Sequence, residues 1–560
     1  MIRRSELDRA LEYVRRTSVP DDIEAALRRA PDGGRPRQLR VDVFLAAVML
    51  TALRTRTVHL NEVHKTLTEE LGDNVQRDLG VFDLTLRQVR YLMKAITKAY
   101  DYRAKNPYLG PADLAHRKNS LQAILDKLTG AAGAYLPTNG HYAVDATAID
   151  SHAVPRGTAA QINEPGPHAG EAFGVPAPDA APRTRYSADP DARWGYRTKT
   201  WNNRTDRVFG YNVIAFARIR SEDSTSTTPP QLVDRIAVVP ANQTGVHETI
   251  ELIDTFDTNR PVRELVVDRG FSGADMCNFR GPLRERNVDI TLDLRSSDHG
   301  ASPHPDGYLI IDGDPYCPSI PTELRTLHST EDIKAKKPKK DATPEEAAAW
   351  QERMMNREQF VQPIERRKAY RLERKGKASN GKGVRYTCPA KVGKIVCEGC
   401  PLSMNLQNDD RGLEEIAPPP SYGADNVSAP RKVCNSSVTI PYAVLGKFSQ
   451  KHTFGTDQWR RSYARRTLVE QTFGHLKGNK GMLKRAWTLQ MGEATISLLL
   501  GIVFAAYNLA TLLRWAKDNS WTADPLTRIV VPVGGILDPD PGTGASTGAP
   551  PPGAGPPGTP

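Results

Sequence analysis

At 560 residues and roughly 150 residues per domain, the chain has room for about three to four structural units and at least one sizeable core. Hydrophobic residues make up 39% and charged residues 25%, with 76 Lys and Arg against 65 Asp and Glu, a formal charge of +11. That composition excludes wholesale disorder and leans towards a polyanionic partner. Six cysteines are too few for a disulfide framework, and the opening MIRRSELDRALEYVRR lacks the apolar run of a secretory signal, so a reducing cytoplasm is expected.

Helical apolar spacing predicts helices over 5–15, 41–53, 59–71 and 85–100, within an all-α N-terminal region of residues 1–135. In the last of these, Arg87, Arg90, Lys94 and Lys98 form one stripe while Val89, Leu92, Met93 and Ile96 take the other side. A solvated charged face and a helix lying along DNA are both consistent with that pattern. Short β-branched or aromatic runs predict strands over 141–148, 196–201, 209–219, 234–239, 264–267 and 289–294, with helices over 246–256 and 273–286. The order β-β-β-β-α-β-α-β fits a layered α/β domain with a mixed sheet over 136–295, interrupted by a Pro- and Gly-rich linker over 155–193.

Residues 296–455 break that rhythm, being Pro-rich, strongly charged and carrying five of the six cysteines, and read as an insertion. Cys388, the pair Cys397 and Cys400 with two residues between, and Cys434 have metal-ligand spacing, with Cys317 further away. A structural Zn²⁺ site and unliganded reduced thiols are the alternatives there, while Cys277 reads as core. Helix is expected again over 456–477, within a C-terminal stretch of 456–520, and residues 536–560 read as a disordered Pro/Gly tail. The apolar run 496–513, ISLLLGIVFAAYNLATLL, is about long enough to span a bilayer, but Ser497, Gly501, Tyr507, Asn508 and Thr511 interrupt it, so a buried core helix and no membrane is the expectation.

Asp145 ends the run YAVD and Asp268 ends ELVVD before Arg269 and Gly270, so two carboxylates stand at strand ends. In the segment that follows the insertion, Tyr463, Arg466, Glu470 and Lys477 stand at offsets of 3, 7 and 14. On one helix, at about 100° per residue, they fall within an arc of roughly 60°. A surface salt-bridge ladder would have the same spacing.

These residues resemble the DDE transposases of bacterial insertion sequences, in the group whose third block reads Tyr, two residues, Arg, three residues, Glu, six residues, Lys. YAVDATAID resembles that family's first-Asp strand, VFGYNVI and VVPANQ its next two strands, and LVVDRGFSG its second-Asp block. The resemblance covers roughly 140–294 and 455–513. It implies an RNase H-like catalytic core with Asp145, Asp268 and Glu470 as an acidic triad, the insertion standing before the last catalytic helix. It implies Mg²⁺, with Mn²⁺ as substitute, held by the three carboxylates, since hard oxygen ligands favour such ions. Arg466 and Lys477 would bind phosphates, Tyr463 would stack on a base, and Arg87, Arg90, Lys94 and Lys98 would contact DNA in end recognition. From 451 to 485 nine Lys and Arg face two Asp and Glu, which suits a duplex end.

The chain departs from the pattern where Ala146-Thr147 stands in place of the commoner Gly-Thr, and Asp150 and Asp293 lie close enough to compete for assignment. The activity implied is cleavage at the terminal inverted repeats of an insertion sequence and strand transfer of the 3′ ends into target DNA. Double-stranded DNA, both transposon ends and target, is the partner, with a homodimer in the synaptic complex and a cytoplasmic, nucleoid-associated location. The rivals are an RNase H-like nuclease or resolvase without strand transfer, and a catalytically inactive transposase-derived DNA-binding protein.

Overall fold

A computed structural model describes residues 2–27, 37–103, 108–134, 136, 138–163, 183–198, 205–222, 230–325, 327, 343–377, 382–398, 412–416, 432–478, 481–483 and 486–519. The fold is mixed α/β, with antiparallel and parallel strand pairing and, among the described residues, no closed barrel. The chain divides into two compact units, one built from Met1–Val262 with Thr467–Pro560, the other from Arg263–Arg466. The expected C-terminal tail and residues 164–182 of the Pro/Gly-rich linker lie outside the described residues.

The first unit begins with helices α1 (Arg4–Arg16), α2 (Val19–Ala26), α3 (Val41–Thr55), α4 (Leu60–Thr68), α5 (Asp73–Leu79), α6 (Leu86–Tyr100) and α7 (Pro111–Gly130). Helix α3 is buried from Val41 to Ala52 and forms the middle of this helical layer, packing on α1, α2 and α4. A capping box starts α6: the Gln88 N–H donates to Thr85 Oγ1 (3.4 Å) and the Thr85 N–H to Gln88 Oε1 (2.8 Å).

Next come β1 (His141–Asp150), α8 (Ala159–Asn163), β2 (Arg193–Thr198), β3 (Thr205–Arg218), β4 (Val233–Pro240) and α9 (Val246–Asp254). Strand β3 is the organiser: β1 runs antiparallel to it from Tyr142 opposite Arg218 to Asp150 opposite Gly210, and β2 and β4 also pair with it antiparallel. Gly210 is required at that register, because a Cβ there would stand 2.0 Å from the Ile149 carbonyl oxygen. Residues 199–201 of the second expected strand lie outside the described residues.

In the second unit β5 (Glu264–Val267) and β6 (Asp289–Leu292) pair in parallel. The single helix expected between them is instead a 3₁₀ turn at Phe271–Gly273, a π turn at Met276–Arg280 and the short α10 (Gly281–Glu285). The π turn runs directly into α10, and Pro282, which lacks the N–H for an ordinary helical bond, stands where one gives way to the other.

The expected insertion is structured in its described parts. It holds an antiparallel sheet of β7 (Ala301–Pro303), β8 (Leu309–Ile311) and β9 (Asp314–Tyr316), then helix α11 (Pro344–Ala369). Strands β10 (Glu373–Lys377) and β11 (Gly383–Thr387) follow, then the short parallel pair β12 (Ile395–Cys397) and β13 (Glu414–Ile416). Turn-length helix α12 (Lys432–Asn435) leads to β14 (Val438–Pro441), which pairs with β11, and to α13 (Tyr442–Leu445) and α14 (Asp457–Ala464).

The chain returns to the first unit with α15 (Thr467–Lys477) and α16 (Glu493–Asp518). Helix α16 contains the apolar run and is long and apolar enough to cross a membrane, but 83% of its most apolar window is buried, against α3, α7 and β4. Its polar interruption has a structural purpose. Asn508, fully buried, accepts from the Val233 N–H (2.9 Å) and donates to the carbonyls of Val233 (2.7 Å) and Thr129 (2.9 Å). One side chain thereby ties α16 to β4 and α7, satisfying backbone groups that burial would otherwise leave costly.

Candidate active site

Within the first unit, side chains alternate across β1, so Asp145, Thr147 and Ile149 share one face while Ala146, Ala148 and Asp150 take the other. Helix α15 packs on β1 and β3. At its C-terminal end the Lys477 ammonium donates to Thr147 Oγ1 (2.6 Å) and to the Ala148 carbonyl. Glu470 lies seven residues earlier, within about 20° of Lys477 around the helix. Both stand beside the buried stripe of Val469, Thr472, Phe473 and Leu476. The carboxylate of Glu470 is exposed, and the half-buried Asp145 accepts the Ala146 N–H on Oδ1 (2.8 Å).

This arrangement separates the two aspartates that compete in the sequence. Asp145 is on the Thr147 face, to which α15 is pinned; Asp150 projects from the opposite face of the same strand. It also gives Lys477 a contact within the protein, its ammonium donating to β1. Thr147, to which sequence pattern alone assigns no role, receives it.

Within the second unit, Asp268 follows β5 and accepts the Gly270 N–H on Oδ1 (2.8 Å) in a tight turn. Asp293 follows β6 and is buried. Tyr463 of α14 lies within electrostatic reach of both. Burial pushes its phenol above the ordinary range, the Arg466 guanidinium pulls it back, and Asp293 and Asp268 push it up again. The ring of Tyr463 stacks on Trp459 with centroids 4.9 Å apart and planes 7° from parallel, and the Arg466 guanidinium stands 5.4 Å from the Tyr463 ring centroid. One face of the ring therefore has a protein neighbour. Trp459 was legible only as an aromatic one turn before Tyr463.

The single helix expected over 456–477 is interrupted. Arg465 and Arg466 form a turn, their N–H groups donating to Ser462 O (3.2 Å) and Tyr463 O (2.9 Å). The cause is Arg465, whose buried guanidinium donates to Ser462 O (3.0 Å) and Ser462 Oγ (2.6 Å) and pairs with buried Glu264. A charge-assisted network of this kind outweighs the helical propensity of two arginines. Consequently Tyr463 and Arg466 do not share one continuous helix with Glu470 and Lys477, and the 60° arc does not apply to all four.

In α6 the expected stripe is present: Arg87, Arg90, Lys94 and Lys98 are exposed and Val89, Leu92, Met93, Ile96 and Tyr100 are buried. Tyr91, 48% exposed, lies on the same stripe and was missed, although its place four residues after Arg87 carried the signal. Of the cysteines, Cys388 and Cys434 are buried and Cys397 half-buried, Cys400 lies outside the described residues, and Cys277 is exposed where a core position was expected.

Three half-buried or exposed carboxylates, at Asp145, Asp268 and Glu470, offer hard oxygen donors that suit Mg²⁺ or Mn²⁺. Among the described residues no group of three or more His, Cys, Asp or Glu is gathered as a ready-made metal site. No family model, no curated protein and no solved structure matches the chain.

Proposed function

We propose that this chain is a transposase of the DDE type, with an RNase H-like core, that cleaves DNA at the terminal inverted repeats of an insertion sequence and transfers the 3′ ends into target DNA. The observation that carries this reading is the pinning of α15 to the Asp145 face of β1, with Glu470 on the stripe of α15 that holds Lys477. An antiparallel β4-β3-β1 arrangement bearing Asp145, a parallel β5/β6 pair with Asp268 after β5, and the ordered sequence blocks support it.

Asp145, Asp268 and Glu470 would hold the divalent ions, which when bound favour phosphodiester cleavage by activating the attacking oxygen and stabilising the leaving one. The chain's own residues have separable tasks. Lys477 orients α15, and with it Glu470, against β1. Arg466 supplies positive charge for a phosphate, and Tyr463, stacked on Trp459, supports Arg466. The α6 stripe supplies phosphate contacts outside the reaction centre, with a second copy of the chain holding the other end in synapsis. The work takes place on nucleoid DNA in the cytoplasm.

The test is cleavage of an end-bearing duplex in Mg²⁺ by Asp145→Asn and Asp150→Asn variants. Asp145→Asn is expected to lose nicking by several orders of magnitude while retaining duplex binding; Asp150→Asn is expected to retain nicking. Full activity in Asp145→Asn would overturn the assignment.

A further inference from the structure

The second unit places thiols together that the sequence keeps as many as 117 residues apart (434 − 317). Cys317, Cys388 and half-buried Cys397 belong to one small apolar cluster with Ile320, Tyr370 and Ile395. Cys434 is buried in the cluster around Tyr386 and Val384. Cys317 lies within electrostatic reach of Cys388, Cys434 and Cys397.

Two of these thiols sit in matching turns. Cys317-Pro-Ser-Ile320 and Cys388-Pro-Ala-Lys391 each place a proline at the second position and close with a backbone bond, Ile320 N–H to Cys317 O (3.1 Å) and Lys391 N–H to Cys388 O (3.2 Å). In the first turn the Ser319 N–H also faces the Cys317 sulfur. The third thiol ends β12, which pairs with β13 over three residues only, Cys397 opposite Ile416. The pair is short, and Ile395 and Ile416 seat it in the same apolar cluster as Cys317 and Cys388.

We propose that Cys317, Cys388, Cys397 and Cys434, near one another without forming a ready-made site, are the thiolate ligands of one structural Zn²⁺ ion that draws them together and holds the β12/β13 pair and the two Cys-Pro turns. Binding releases one proton from each ligating thiol, leaves zinc's oxidation state unchanged and calls for no co-reactant. The site is structural, and its existence is independent of the proposed DNA chemistry.

The full-length chain, expressed in zinc-supplemented medium and passed through a desalting column, is assayed for metal by inductively coupled plasma mass spectrometry. About one zinc per chain is expected. Cys388→Ser and Cys434→Ser should each lower it at least several-fold, and Cys277→Ser should leave it unchanged. Cys317→Ser should lower it likewise, and unchanged zinc in that variant would overturn the four-thiolate assignment. Because a cysteine variant can fail to fold, the wild-type chain is also stripped and loaded with Co²⁺, whose tetrahedral thiolate absorption should appear and be bleached by Zn²⁺. Substoichiometric zinc with no such absorption would overturn the proposal. So would thiols that react with a disulfide reagent only after reduction, which would assign the cluster to disulfide pairing.

Discussion

The Lys477 anchorage is a quantity that can be measured. Its ammonium donates to Thr147 Oγ1 at 2.6 Å and to the Ala148 carbonyl, and the side chain is half-buried. A hydrogen bond involving a charged group contributes about 1.5–3 kcal/mol, so Lys477→Met should destabilise the first unit by roughly that amount. Thr147→Val removes one acceptor and leaves the Ala148 carbonyl, so the double variant should be more stable than the sum of the single losses predicts, by about 1 kcal/mol. Urea unfolding, with amide exchange read on residues 142–150, gives the four free energies of the cycle. Additivity within about 0.3–0.5 kcal/mol would refute the claim that Lys477 acts through Thr147. The cycle has a functional counterpart. A lysine spent on β1 should leave the salt dependence of duplex binding unchanged on replacement, whereas a phosphate-contacting lysine would lower the slope by roughly 0.9.

Asn508→Leu should cost about 2–4 kcal/mol, because the Val233 N–H and two carbonyls lose their buried partner, and thermal unfolding of the variant measures it. Replacing Arg87, Arg90, Lys94 and Lys98 together by alanine should weaken duplex binding and flatten its salt dependence by up to about four phosphate contacts, as read by fluorescence anisotropy over a salt series; an unchanged slope would remove α6 from the DNA interface. The hydrogen bond from His247 to Glu251 (3.1 Å) raises the imidazole above its ordinary 6.5. Its contribution is therefore complete below the unfolded value and fades as pH rises through the folded one. With both side chains more than a third exposed, the stabilisation should stay below about 0.5 kcal/mol, and Glu251→Gln should return the NMR titration midpoint of His247 towards 6.5.

Strands whose burial is spelled out by continuous apolar runs were legible: Glu264–Val267 has the bounds its sequence predicts, and β1, β3 and β4 differ from expectation only at their ends. Helix α7 was not singled out, because its apolar residues crowd into the second half, where Leu121, Ile124, Leu125 and Leu128 are buried, and its first half has no stripe. The break between α14 and α15 carries no glycine or proline. It arises from a buried arginine meeting Glu264 of β5, some two hundred residues earlier in the chain, and no local pattern announces such a partner. At the candidate site the residue types and their order were readable, and so was the alternation that puts Asp145 and Asp150 on opposite faces. The occupations of Lys477 and Tyr463 were not, since each is set by a contact, with Thr147 or with Trp459, that spacing alone leaves open.

The central claim is that Glu470 supplies a carboxylate to a DNA-cutting centre. The most direct measurement is Mg²⁺-dependent nicking of a duplex carrying the DNA that flanks this gene, by the wild-type chain and by Glu470→Gln, a change that keeps shape and removes a charge. Nicking at the element's boundary by the wild type alone, with equal duplex binding by both, is the predicted result. Equal nicking by the two proteins, or binding by both with cleavage by neither, would contradict it.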